Sequence, residues 1–362
     1  MARKPKKKSL SDQLAKVDEG EGLTPESVIE YLRKPKRKKK GATTAAIAEK
    51  FRVTQREALA FLGSLGDQGY LVSLIGDSWA IEKKPLEGTG QPLTLTSDAD
   101  GWHLIGLSSD QHLGSKYCRM DVLTDIYRQF AESGVSVVLN SGNWIEGEAR
   151  FNRHDIDIFG MDQQIENLVQ QYPQVEGITT YAIHGDDHEG WYGQREGIDI
   201  GRHTENLMRR AGRYDWVDLG FVEAYVELKH RNTGKGTFAH VLHPGGGSAY
   251  AVSYKPQKIV ESYPGGAKPA AVFIGHYHKL SYNHFRNVVC IQCGCTQDQS
   301  TFLKKHNIEP HIGAVIVRVK QDPKTGALVE CQTHWMHYFD KGYYQHRFSK
   351  AGKVTRSKKA RA

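Results

Sequence analysis

The sequence predicts an α/β protein in two parts: a layered domain of alternating strands and helices, preceded by a small module of three helices and a hairpin. Three observations carry that expectation. From Trp102 onward, short apolar runs alternate with amphipathic segments such as 119–132, 162–172 and 197–211, the pattern of strands and helices packed in layers. Several of the apolar runs stop at glycine, aspartate, asparagine or histidine, which places polar chemistry at the carboxyl ends of strands. Upstream, residues 24–81 read as a separate helical unit, and 84–100 holds Pro85, Gly88, Gly90 and Pro92 among Ser and Thr, the composition of a linker.

In chain order, residues 1–22 are polar and charged and are expected to be a disordered tail. Thr24 is a helix N-cap with Pro25 at the first helical position, and Val28, Ile29 and Leu32 form one apolar face. After the basic break at 35–40, residues 44–51 make a second helix. Thr54-Gln55-Arg56-Glu57 is a capping box that opens a third, with Ala58, Leu59, Leu62 and Leu65 on one side. Two apolar runs around Gly76-Asp77 read as a hairpin. Three helices and a hairpin make the pattern of a winged helix, whose third helix would offer Thr54, Gln55 and Arg56 to a nucleic-acid groove. Docking to another protein is the competing use of such a module. The expected boundaries are a tail at 1–22, the winged-helix-like domain at 23–84, a linker at 85–100, the α/β domain at 101–348 and a second basic tail at 349–362.

The net charge of +8 over 362 residues is unevenly placed. Residues 1–40 carry 13 Lys/Arg against 6 Asp/Glu, and 350–362 carry 6 Lys/Arg and no acid, whereas 41–349 hold 30 basic and 35 acidic residues. The basicity belongs to the ends. Clusters such as Lys36-Arg37-Lys38 are of the kind that displaces counterions from a polyphosphate backbone, so DNA, or alternatively RNA, is the expected partner. Solubilising tails are the plainer explanation of the same clusters. No apolar run is long enough to span a bilayer and the basic start lacks the apolar segment of a signal peptide, so no membrane partner is expected and the location would be cytoplasmic or nucleoid-associated. Five cysteines at 118, 290, 293, 295 and 331 show no framework spacing, and Cys290, Cys293 and Cys295 read as buried reduced thiols on a strand rather than as half of a zinc site.

The chemistry sits in five strand-and-ligand units. Residues 104–109 run into Asp110-Gln111-His112. Residues 135–139 precede Gly142-Asn143-Trp144-Ile145-Glu146. Residues 179–183 lead to Gly185-Asp186-Asp187-His188-Glu189. Residues 238–242 end on His243, and 271–274 deliver Gly275-His276-Tyr277-His278. His, carboxylate and amide donors in this mixture suit divalent transition metals rather than the all-oxygen shells of magnesium or calcium.

The order D-x-H, G-N-x-x-E, D-H-E, H, G-H-x-H closely resembles the calcineurin-like metallophosphoesterase superfamily over roughly residues 102–300, and within it the repair nucleases. The resemblance implies a β-sandwich flanked by helices and two divalent metals, manganese first, with zinc, iron or nickel as alternatives. One metal would take Asp110, His112 and His278, the other Asp187, His243 and His276, with Asn143 between them. His188 would contact phosphate and protonate the leaving group, and Glu146 and Glu189 would orient imidazoles. Two positions depart from the family pattern: it has aspartate where this chain has Asn143, and asparagine where this chain has Asp187. The exchange keeps the number of anionic ligands constant, which points to a rearranged working site. Arg150 and Arg153 are candidates to clamp a phosphate, with a solvated loop as the equal alternative.

A metal-dependent nuclease or end-processing phosphodiesterase is therefore the leading expectation, and a homodimer is the assembly that related nucleases suggest. The alternatives are a non-catalytic DNA-binding or scaffold protein on a degenerate phosphoesterase fold, and a phosphoesterase for small molecules.

Overall fold

The computed structural model describes residues 22–33, 41–65, 70, 72–81, 93–266 and 268–339. The chain divides into two compact units, 1–82 and 83–362.

The first unit contains α1 (Pro25–Arg33), α2 (Thr44–Phe51), α3 (Gln55–Leu65) and an antiparallel hairpin of β1 (Val72–Ile75) and β2 (Ser78–Ile81). Val28, Leu32, Ile47, Phe51, Ala58, Leu62 and Leu65 bury together, one side from each helix. The capping box forms as its sequence requires: Thr54 N–H donates to Glu57 Oε2 at 2.8 Å and Glu57 N–H to Thr54 Oγ1 at 3.2 Å. Thr54 is thereby committed to the helix end, while Gln55 and Arg56 lie exposed on the same turn. Lys36, Arg37 and Lys38 lie outside the described residues, as do both expected tails.

The second unit is two six-stranded sheets packed face to face with helices outside, the sandwich that the sequence predicts. One sheet has the order β14 (Leu328–Tyr338), β13 (Ile312–Gln321), β4 (Trp102–Ser108), β5 (Val137–Asn140), β6 (Thr179–His184), β7 (Trp216–Phe221). Its four strands β4 to β7 are parallel, and β13 and β14 extend it antiparallel. The other has the order β11 (Leu280–Phe285), β12 (Val288–Cys293), β10 (Ala271–Ile274), β9 (Gly236–Leu242), β8 (Glu223–Lys229), β3 (Leu93–Thr96).

Strand alternation explains the layering. Ile105 and Leu107 of β4 point into the layer between the sheets with Leu139, Ile183, Phe273, Ile291, Val315 and Val317. The opposite face of the first sheet is covered by α4 (Met120–Glu132), α5 (Met161–Gln171) and α7 (Ile200–Arg210), through Leu123, Ile126, Phe130, Ile165, Leu168 and Met208. α8 (Tyr254–Ser262) covers the second sheet through Val260 against Val272, Ile274 and Cys290. Each fully buried Leu, Ile or Phe contributes about 1.5–3 kcal/mol, and that packing is what holds the strand ends in register.

Two expectations need correction. Residues 93–96, read as linker, form β3 and pair in parallel with β8; the strand has only four residues and buries only Leu95, too short a period to stand out from the Pro/Gly-rich run before it. The helical run expected at 197–211 forms α7 but starts only at Ile200, because Gly197 adopts the left-handed conformation that ends the preceding helix α6 (Glu189–Glu196), and Asp199 caps α7 by accepting from Arg202 N–H. Cys290, Cys293 and Cys295 are buried free thiols.

Candidate metal centre

The five strand ends β4, β5, β6, β9 and β10 meet along one edge of the sandwich, and the loops leaving them are tied to one another by backbone hydrogen bonds. Asp110 N–H donates to Gly142 O at 2.9 Å, His112 N–H to Asn143 O at 3.0 Å and Leu113 N–H to Trp144 O at 3.0 Å. The first two motifs thus run side by side, and their side chains are fixed in a common register. Gly142 has φ +93°, and a Cβ there would stand 2.6 Å from His243 Nδ1. A Cβ on Gly275 would stand 2.3 Å from Ser109 Oγ. Both glycines let backbone approach where a side chain has no room.

Asp110, His112, Asn143, His276 and His278 all have positive φ, between 52° and 72°. A non-glycine residue in this region costs about 1–2 kcal/mol. Five such residues within one cluster are strain concentrated at a site, as functional constellations concentrate it.

Two groups of donors result. In the first, Asp110, His112 and His278 are nearly closed to solvent. His112 Nε2 and His278 Nε2 are 3.1 Å apart, and Asp110 Oδ1 lies 3.5 Å from the latter and 3.9 Å from the former. Metal–ligand bonds of about 2.0–2.2 Å in tetrahedral geometry space ligand atoms roughly 3.3 Å apart. The other nitrogen of His112 is taken, since Nδ1–H donates to Glu146 Oε2 at 3.0 Å, and this leaves Nε2 with its lone pair toward the cluster.

In the second group, Asp187 Oδ1 is 3.9 Å from His243 Nε2 and Asp187 Oδ2 is 3.6 Å from His276 Nδ1. Here too the remaining nitrogens have partners: His243 Nδ1–H donates to Ser141 O at 2.6 Å, and His276 Nε2–H to Gly246 O at 2.8 Å. The groups are linked, because His276 N–H donates to Asp110 Oδ2 at 2.9 Å, an oxygen that also accepts from Ser109 Oγ at 2.6 Å.

Asp110 Oδ1, Asn143 Oδ1, Asp187 Oδ1 and His243 Nε2 are buried without a hydrogen-bond partner. Unpaired buried acceptors cost stability, about 1–3 kcal/mol each and more when charged. Four of them in one cluster, with imidazole tautomers already set by outside partners, suit two divalent transition metals. Burial first, and like charges nearby second, push the Asp110 carboxyl well above its ordinary range and hold the His112 and His278 imidazoles well below theirs. Burial likewise brings His243 down to about 3. For Asp187 burial acts upward, but the surrounding histidines, His188 foremost, outweigh it and hold the carboxyl below its ordinary value.

His188 packs against the first group with its ring 4.4 Å from that of His112, and its Nδ1–H donates to Glu146 O at 2.5 Å. Its Nε2 is thereby the atom left for a substrate. Glu146 joins His112, Gln297 and, through its carbonyl, His188 and Asn152. Glu189 is fully buried and accepts from Trp144 N–H at 3.2 Å, which braces the loop bearing Asn143 against the loop bearing Asp187. Burial raises both glutamates to about 7.

Above the groups lies a cavity of about 650 Å³, lined by His112, Asn143, Asp187, His188, His276 and His278 at its base. Its flank holds Phe151, Asn152, Asp155, Gln297 and Phe302, none of which stood out in the sequence. Asn152 and Asp155 follow closely on the second motif, but only the fold joins them to residues near 300. Arg150 and Arg153 are exposed, as a solvated loop would have them, and Lys255 Nζ lies 5.8 Å from the ring of Tyr277 in the cavity lining. His154 is exposed, and buried His184 pairs with Asp218 at 3.3 Å.

No family model and no curated protein matches the chain. Among solved structures it is similar to an archaeal phosphodiesterase, at 11% identity over 65% of this chain and 100% of the other, with a TM-score of 0.33. It is also similar to wild-type Vps29 from Entamoeba histolytica complexed with zinc, at 11% identity over 64% of this chain and 99% of the other, with a TM-score of 0.31. A predicted phosphoesterase from Streptococcus pneumoniae gives 11% identity, 66% and 98% coverage and a TM-score of 0.29. At such scores the likeness carries no weight for function, which rests on the chain's own residues.

Proposed function

We propose that this protein is a metal-dependent phosphodiesterase that hydrolyses nucleic acid, with DNA as the first candidate substrate. The observation that carries the proposal is the pair of convergent donor groups, Asp110/His112/His278 and Asp187/His243/His276, with unpaired acceptors aimed between them. Two divalent metals held there would supply an activated water and neutralise phosphoryl oxygens. Manganese is the first metal to test.

The chain's own residues have separable tasks. His188, with Nδ1–H given to Glu146 O, turns Nε2 toward the departing oxygen, where its imidazolium form would deliver a proton. Glu146 fixes the rings of His112 and His188 together. Glu189 sets the loop that carries Asn143. The first unit, with Gln55 and Arg56 exposed at the start of α3, would hold the nucleic acid. The basic segments 1–40 and 350–362 would add affinity that depends on salt.

A labelled single- and double-stranded DNA, incubated with the manganese-loaded chain, tests this reading. Cleavage is expected, and His188→Ala should reduce it by about 10²- to 10⁴-fold with metal content unchanged. Two bound metals with intact DNA ends would refute it. Asn143 favours a second reading, a binding protein on a retired enzyme fold, because an amide bridges metals poorly; DNA binding without bound metal would support that instead.

A further inference from the structure

From the aromatic side of the cavity we infer a stacking subsite for the nucleobase beside the scissile phosphate, formed by Phe151 and Phe302; the inference rests on the phosphodiesterase reading above. The rings continue outward from His188. Phe151 stands 5.4 Å from the His188 ring and 5.2 Å from Phe302, and Phe302 stands 4.5 Å from His306. Phe151 is 43% exposed, although a phenyl group on a loop has a strong tendency to bury. A phosphate needs none of this surface. A base attached to it needs a ring face at this distance from the leaving-group histidine, and stacking on aromatic side chains serves every base alike.

The wall is also built to stay in place. Asp155 accepts from Thr301 N–H at 3.3 Å and Phe302 N–H at 3.1 Å, so the loop after the second motif clamps the segment near 300 although they are far apart in sequence. Asn152, 2% exposed, donates to Glu146 O at 2.8 Å and leaves its Oδ1 buried without a partner in the cavity lining. Ser300 and Asn307 also line the cavity, a polar surface that suits the edge of a base better than an acyl chain. The cavity, about 650 Å³, is in the range of sites that enclose ligands of nucleotide size.

The test compares two fluorescent single-stranded pentanucleotides with phosphorothioate links, one complete and one with an abasic central position, for equilibrium binding to the full-length manganese-loaded chain. The complete strand should bind roughly 5- to 100-fold more tightly. Phe302→Ala should abolish that preference, and so should Phe151→Leu, which keeps apolar volume at an exposed position and removes only the ring face. Equal binding of the two strands to the unaltered chain overturns the inference, as does a preference that survives both substitutions. Cleavage of the unmodified strand, read in parallel, separates the two ideas. Base-dependent binding without cleavage leaves the subsite standing and removes the phosphodiesterase, and cleavage indifferent to the base does the reverse.

Discussion

Asp110, His112 and His278 have side chains 0%, 2% and 8% exposed, whereas in the neighbouring group Asp187 is 36% and His276 15% exposed. The donor types are the same; the surroundings differ. In the closed group the cost of desolvating a carboxylate is met only when a cation arrives, so the bound metal should be held tightly and exchange slowly. In the open group, water already solvates part of Asp187, and the cavity reaches the ligands directly. The closed group is suited to anchoring and the open one to meeting substrate. Asn143 sharpens the contrast, because a neutral amide between the groups leaves each to depend on its own single carboxylate.

Substituting the two carboxylates in turn offers the strongest challenge to this division. Asp110→Asn should release both metals and abolish measurable cleavage, since Asp110 also holds the His276 backbone. Asp187→Asn should release one. Metal content by mass spectrometry, read beside the rate, decides it, and equal losses in both variants would end the distinction between anchor and working group.

A smaller effect is expected behind the closed group. Glu146→Gln should weaken metal there by about 10- to 100-fold, because His112 loses the charge that holds its tautomer. Metal binding in the open group should weaken far less; weakening of both to the same degree would show that Glu146 supports the whole edge of the sheet rather than one imidazole.

The mildest change is Asn143→Asp, which places a third carboxylate between the groups. It should tighten the open group's metal with little effect on the closed one. Unchanged stoichiometry and affinity would show that position 143 does not link the two.

The donor residues were legible because each follows an apolar run that could only be a buried strand, and because aspartate and histidine at strand ends have few structural duties. What joins them was not. The left-handed backbone at Asp110, His112, Asn143, His276 and His278 leaves only a weak trace in residue type: Asp, Asn and His enter that region more readily than most, but the strong marker, glycine, is absent at those positions. β3 escaped because four residues give too little periodicity beside a Pro/Gly-rich stretch. The Phe151–Phe302 wall escaped because its halves are 151 residues apart and meet only in the fold, where Asp155 ties the two segments together.

The bond from His276 N–H to Asp110 Oδ2 has a thermodynamic consequence. It hangs the backbone of one group's ligand on the carboxylate of the other, so whatever orders Asp110 also orders His276. The two equilibria are then coupled, with the closed group preparing the backbone of the open one. By reciprocity, each metal raises the affinity for the other by the same factor. Activity should accordingly follow the filling of the open group, on a closed group already loaded at lower metal concentration.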